Sequence, residues 1–262
     1  MQNQHGDFIW YDLMTGDPAA AATFYGGLLG WTFAIPEGGG DFYKVFSAKD
    51  TEIGGLMGIT DEMKGNGARP LWASYIAVDD ADATAKTIVE AGGTLILEPW
   101  DIPNIARVAF AAAPDGAMFY IMQMTASGGP SESFSAHEPK NGHCAWNELT
   151  TRDQAEAKAF YTKVFGWSHA DTMDMGPMGA YEIYKSSPDS DFISAGMMKQ
   201  PEGMPVSMWA HYFRVPNIDA AVAYINANGG KIVAGPIPIP GDEFSVNGMD
   251  PQGAFFSLVG KN

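Results

Sequence analysis

This chain of 262 residues is short of cysteine, of positive charge and of long apolar runs, and each shortage closes off a class of function. The lone Cys144 cannot form a disulfide within the chain, so no disulfide scaffold is expected and a reducing, cytoplasmic setting is. It sits in an apolar strand pattern, which reads as a small buried side chain rather than a nucleophile. Lysine and arginine total 15 against 31 aspartates and glutamates, a formal net charge of −16. Nucleic-acid affinity comes largely from Lys and Arg on phosphates, so nucleic acid is not an expected partner. No apolar run reaches ~18 residues, and Met1–Asp7 is polar. Neither a membrane span nor a secretory signal is expected. The histidines are His5, His137, His143, His169 and His211. None forms an H-x-x-x-H or H-E-x-x-H spacing, so no local metal motif exists.

What the chain does have is a long internal repeat. Trp10-Tyr11-Asp12-Leu13 through Asp17, then Phe24-Tyr25 and Leu29-Gly30-Trp31, returns 136 residues later. The second copy is Trp146-Asn147-Glu148-Leu149 through Asp153, then Phe160-Tyr161 and Phe165-Gly166-Trp167. Trp72-Ala73-Ser74-Tyr75 returns as Trp209-Ala210-His211-Tyr212, and Gly92-Gly93 as Gly229-Gly230, now 137 residues on. A period this long marks a duplicated domain rather than a solenoid unit of about 20–50 residues. The Ser-, Gly- and Pro-rich stretch Thr125–Lys140 has no periodicity and reads as a linker. The expected organisation is a first domain over 1–125, a linker over 126–140 and a second domain over 141–262.

Each half alternates strands and helices in the same order. Phe8–Met14 reads as a strand. Asp17 then caps a helix that has Pro18 at its first position and Gly30 at its stop. Strands are expected near Trp31–Ile35, Phe42–Ala48 and Glu52–Met57, with a Gly38-Gly39-Gly40 turn between two of them. A strand over Ala73–Val78, a helix over Asp80–Ala91 and strands near Thr94–Leu97, Val108–Ala113 and Met118–Met124 follow. The second half repeats the plan, with its long stretch Ala170–Asp191 read as a loop able to close over a cup. Each half is thus two βαβββ modules. The expected class is α+β: two tandem domains, each a curved, cup-shaped mixed sheet with helices outside.

Paired βαβββ modules whose first helix ends in Phe-Tyr-x-x-x-Leu/Phe-Gly-Trp resemble the vicinal oxygen chelate superfamily of glyoxalases, bleomycin-resistance proteins and extradiol dioxygenases. Val78-Asp79-Asp80 and Ala113-Pro114-Asp115-Gly116 are similar to further marks of that group. The resemblance spans both halves. It implies a divalent metal held by His, Gln or Glu at cup-facing strand positions. The matching positions here are Trp10, Ala73 and Tyr120, then Trp146, Ala210 and Ser257. Indole and methyl groups offer no lone pair to a cation, and the phenol and hydroxyl are poor replacements for a carboxylate. No cofactor is therefore expected, a divalent metal on other ligands being the alternative.

Strand alternation sorts what faces the cup instead. Trp10 and Asp12 share a face, as do Trp146 and Glu148, so each half presents an indole and a carboxylate two residues apart. Tyr75 and Tyr212 share the cup-facing parity of their strands, with Tyr120 and Arg214 beside them. Arg214 faces Glu148 as a possible ion-pair partner, and Arg107 has no counterpart in the second half. An apolar concavity with a few convergent polar groups is the usual make-up of a small-molecule site. Candidate ligand contacts are Trp10, Asp12, Tyr75, Arg107, Tyr120, Trp146, Glu148, Tyr212 and Arg214. Asp12 and Glu148 are the candidate catalytic carboxylates, or else buried acids that tie modules together. Arg107 either binds an anionic ligand group or is neutralised by an aspartate. His211 points away from the cup unless the register slips by one.

Three functions fit. The first is a glyoxalase- or bleomycin-resistance-like protein that binds a small organic metabolite in one or both cups without the usual metal. The others are a metal-dependent lyase or dioxygenase with non-standard ligands, and a scaffold with filled cups. A monomer with an internal pseudo-twofold, or a homodimer, is expected.

Overall fold

A computed structural model describes residues 3–36, 40, 42–125, 129–201, 203–204 and 206–262. Gly38 and Gly39 of the expected turn, and 126–128 of the expected linker, lie outside the described residues. The first half runs β1 (Phe8–Thr15), α1 (Pro18–Leu29), β2 (Trp31–Ala34), β3 (Tyr43–Ala48) and β4 (Thr51–Gly58). A short helix α2 (Asp61–Gly65) leads to β5 (Leu71–Ala77), α3 (Ala81–Glu90), β6 (Thr94–Ile102), β7 (Ala106–Ala112) and β8 (Met118–Met124). The second half runs β9 (Cys144–Thr151), α4 (Gln154–Phe165), β10 (Ser168–Asp174), β11 (Ala180–Lys185) and β12 (Ala195–Lys199). It closes with β13 (Met208–Arg214), α5 (Ile218–Ala227), β14 (Lys231–Ile239), β15 (Glu243–Met249) and β16 (Phe255–Gly260). Two eight-stranded mixed sheets result, ordered β2-β3-β4-β1-β5-β8-β7-β6 and β10-β11-β12-β9-β13-β16-β15-β14. The α+β class and the module order are as the sequence implies.

Local chemistry sets the helix ends. The Asp17 carboxylate accepts from the Ala20 N–H at 3.0 Å, satisfying a donor that the first helical turn leaves open. Gly30 ends α1 at φ 72°, and Gly166 ends α4 at φ 70°. Glycine adopts that left-handed conformation without steric cost. The stretch Ala170–Asp191 is a correction to the sequence reading. Most of it is β10 and β11, paired antiparallel with Met173 opposite Tyr181. Nearly every position of β10 is exposed or half-buried, so it carries no apolar alternation to betray a strand.

The chain forms two compact units, each joining one βαβββ module of the first half to one of the second. One comprises Met1–Ile9, Ser74–Ser131 and Asn147–Trp209. In it α3 packs on α4. A Cβ on Gly93 would lie 3.0 Å from the Phe160 ring and 2.8 Å from Ile88. The other comprises Trp10–Ala73, Glu132–Trp146 and Ala210–Asn262. There α1 packs on α5, and a Cβ on Gly27 would fall 2.0 Å from the Tyr224 hydroxyl.

Each unit also holds a buried Trp–Tyr bond. In the second, Trp72 Nε1 donates to the Tyr25 hydroxyl (3.1 Å), which donates to Asp250 Oδ2 (3.1 Å). In the first, Trp209 Nε1 donates to Tyr161 (3.0 Å), while Asp115 accepts from Thr151 Oγ1 (2.5 Å). Among the described residues, no helix is long and apolar enough to cross a membrane.

Candidate functional site

The indole–carboxylate couple of the first half is a closed hydrogen-bonded triangle. Asp12 is buried, and its Oδ1 accepts from Trp10 Nε1 (2.9 Å) and from the Tyr43 hydroxyl (2.8 Å). Trp10 Nε1 also lies 3.0 Å from the Tyr43 oxygen. The phenol reaches the acid because Gly55 stands opposite Asp12 in the β1–β4 register. Any Cβ on Gly55 would be 1.8 Å from the Tyr43 hydroxyl. The second half repeats the device on β9, β11 and β12. Tyr181 donates to Glu148 Oε2 at 2.9 Å, Gly196 stands opposite Glu148, and a Cβ there would be 2.0 Å from the phenol oxygen.

Sequence reasoning did not single out Tyr43 or Tyr181. The signal available was a tyrosine near the start of β3 and of β11, followed by a glycine opposite the acid.

Tyr75 and Tyr120 are partners in the β5–β8 register and stack at 4.3 Å with a 7° tilt. Phe110, opposite Tyr120 on β7, stacks on its other side at 4.2 Å, and Trp100 meets Tyr120 edge-on at 6.4 Å. In the second half, Ala210, Tyr212 and Val259 form a buried cluster with Ala145, and Trp146, Ile239 and Phe255 pack against it. Ser257 there donates to Asn247 Oδ1 at 2.7 Å.

The two arginines find local acids. Arg214 grips Glu243 with both terminal nitrogens, one at 3.0 Å. That guanidinium holds the Glu243 carboxyl below the usual range. The Arg214–Glu148 pairing read from strand parity is thus corrected: the Arg214 fork belongs to Glu243, and Glu148 accepts from Tyr181. The mistake came from treating the sheet face as flat, when β15 supplies a nearer acid. Arg107 forms a fork onto Asp82 (2.6 and 2.8 Å) and reaches Asp101 (2.9 Å).

His211 is buried against Tyr11, ring centroids 4.9 Å apart. Tyr11 lies between Trp10 and Asp12, so His211 faces away from them. Burial pushes its imidazole down to about 3. Burial likewise pushes the Cys144 thiol up to about 12, which removes it as a thiolate nucleophile.

The side chains at the positions of a family metal site do not fit one. Trp10 presents an N–H donor that is bonded to Asp12, and Tyr120 is sandwiched between two rings. Ala73 and Ala210 carry no donor atom, and the Ser257 hydroxyl is directed at Asn247. Among the described residues, no three His, Cys, Asp or Glu side chains gather as a metal-holding group.

Comparison with known proteins bears on this geometry. The sequence profile of the Glyoxalase/Bleomycin resistance protein/Dioxygenase superfamily matches residues 8–121 and 140–258. The chain is 34% identical over 255 residues to "Putative glyoxylase CFP32" of Mycobacterium tuberculosis, covering 95% of this chain and 93% of that protein. It is 31% identical over 265 residues to the anthracycline biosynthesis protein DnrV of Streptomyces peucetius, covering 95% and 91%. Among solved structures, its fold is similar to a Mn(II)-bound glyoxalase from Novosphingobium aromaticivorans. The TM-score is 0.65 at 16% identity, over 98% of this chain and 83% of that one. It is also similar to 2,2',3-trihydroxybiphenyl 1,2-dioxygenase from Sphingomonas wittichii RW1. There the TM-score is 0.62 at 16% identity, over 99% and 91%.

Proposed function

The chain belongs to the Glyoxalase/Bleomycin resistance protein/Dioxygenase superfamily, and from that premise we propose that it binds a small organic molecule in one or both β-cups without the family's metal centre. One observation carries this reading. At the positions where a metal would be held, the side chains are aromatic or aliphatic, or have their polar atoms committed to a protein partner. Such groups suit an organic ligand better than a cation. Indole and phenol faces supply apolar contact, and hydrogen-bonded tyrosines orient polar substituents. The anthracycline biosynthesis proteins of Streptomyces, 31% identical, favour a flat, fused-ring aromatic ligand.

Asp12 and Glu148 act in this reading as orienting acceptors. Each has a tyrosine donating to it, and that fixes the carboxylate for a ligand hydroxyl. The test joins elemental analysis of protein purified without chelator to titration with polycyclic aromatics, an anthracycline included, followed by tryptophan fluorescence. Saturable binding that survives EDTA, with no stoichiometric Mn, Fe, Ni or Zn, is the expected result. One equivalent of tightly held metal, or binding that EDTA abolishes, overturns the reading in favour of a metal-dependent lyase or dioxygenase.

A further inference from the structure

The repeat permits each sheet face to be compared with its own duplicate, and two matching walls have diverged in one direction. The wall of β5, β7 and β8 is apolar. Tyr75, Tyr120 and Phe110 stack across it, and beside them lie Ala77 and Val108, both in register with Met122. In the duplicate, 137 residues on, Tyr212 keeps the place of Tyr75. Ser257 replaces Tyr120, Asn247 replaces Phe110, Arg214 replaces Ala77 and Ser245 replaces Val108. Registers confirm that these form one face: Tyr212 and Asn247 both oppose Ser257, and Arg214 and Ser245 both oppose Val259. Glu243, where the first half has Ala106, completes the pair with Arg214.

Polar groups on a half-covered, partly apolar face need a reason, because burying each one costs free energy unless it is paired. Most are paired. Ser257 donates to Asn247, and Glu243 takes the two terminal nitrogens of Arg214. Arg214 Nε is not: it is buried and bonds to no acceptor among the described residues. Meanwhile the exchange of two rings for a serine and an asparagine takes bulk away from the middle of this wall, beside the half-buried Trp146.

We propose that the face of β13, β15 and β16 is a binding site for an uncharged planar ligand bearing carbonyl and hydroxyl groups. The proposal rests on the reading of the protein as a binder of small organic molecules, and it assigns the polar subsite to the second half. A ligand carbonyl accepts from Arg214 Nε. Asn247, whose Oδ1 is taken by Ser257, offers its amide N–H groups. The Tyr212 and Trp146 rings supply the apolar contact. The ligand is uncharged because Glu243 already neutralises Arg214, and the chain carries a net charge of −16, which disfavours an anion. The Tyr75–Tyr120–Phe110 wall, its rings stacked on one another, offers no such polar set.

The test titrates 4-hydroxybenzamide, and separately its anionic analogue 4-hydroxybenzoate, into the full 15N-labelled chain and follows backbone amide shifts. The expected result is saturable shifts centred on residues 210–214, 243–249 and 255–259, with the anion at least about tenfold weaker. Asn247→Ala should weaken the benzamide about tenfold with its melting temperature retained. The double change Ser257→Tyr with Asn247→Phe, which restores the first-half residues, should abolish it. If that double variant does not fold, Asn247→Ala decides alone. Shifts centred on β5, β7 and β8 would overturn this assignment while leaving the protein a small-molecule binder. Equal affinity for the anion, an undisturbed Asn247→Ala variant, or no shifts at all would each overturn it too. The metal and polycyclic titrations described above judge the broader reading separately.

Discussion

Replacing Tyr25 by Phe removes one oxygen from the interior and should cost more than any neighbouring change of equal size. That hydroxyl donates to Asp250 Oδ2 and accepts from Trp72 Nε1, both at 3.1 Å, and all three residues are buried. Without it the Trp72 N–H loses its acceptor, at about 1–3 kcal/mol for a buried unsatisfied donor. Asp250 also loses a hydrogen bond to a charged group, worth about 1.5–3 kcal/mol. It keeps the Gln252 and Ala254 N–H donors on Oδ1, both at 2.9 Å, so the two losses overlap. A total of about 2–4 kcal/mol is expected, or a fall in Tm of roughly 4–16 °C for a chain of this size.

The loss should also depend on pH. Burial outweighs the hydrogen bonds of Asp250 and raises its pKa in the folded chain. A carboxyl so raised favours the fold below its unfolded pKa of about 3.9, and that advantage is lost as pH rises through the folded pKa. The Tyr25 hydroxyl restrains the rise by donating to the carboxylate. Removing it raises the folded pKa further, so the penalty of Tyr25→Phe should grow from pH 4 to pH 7. Calorimetric melts of both proteins at those pH values measure this. A drop in Tm below about 2 °C, or a loss independent of pH, would refute the reasoning.

Two further outcomes are expected. The buried His211, held down to about 3, should show no imidazole titration by NMR between pH 8 and 5. Because the unfolded ring binds a proton near pH 6.5 and the folded one does not, this residue should lower stability as pH falls from about 6.5 towards 3. Urea melts of the parent and His211→Gln would separate that contribution from the carboxylates. Cys144, whose thiol burial pushes up to about 12, should resist a thiol-reactive chromophore at pH 8 in the native chain and react fully in guanidinium. Rapid native labelling would show the sulfur to be accessible.

Local rules carried the reading of the fold a long way. Asp17, Pro18 and Gly30 mark the ends of α1 because a cap, a fixed φ and a left-handed stop act within one turn of chain. Trp10 and Asp12 meet because a strand returns to the same face every second residue. The same parity placed Tyr75 on the face of Tyr120, and His211 on the face opposite Trp10. β10 escaped notice because solvent covers both its faces, so selection for a core left no alternation in it.

By itself the sequence determined the duplication, the βαβββ order, the α+β class and the residue types at the metal positions. These follow from short-range periodicity and from side-chain chemistry. Only the tertiary structure decided which groups meet. Tyr43 reaches Asp12 over Gly55, Glu243 rather than Glu148 takes Arg214, and Tyr25 reaches Asp250 across 225 residues. Such partners are set by where separate strands and helices come to rest against one another. No local pattern encodes that distance, because the free energy that fixes it belongs to the packed whole.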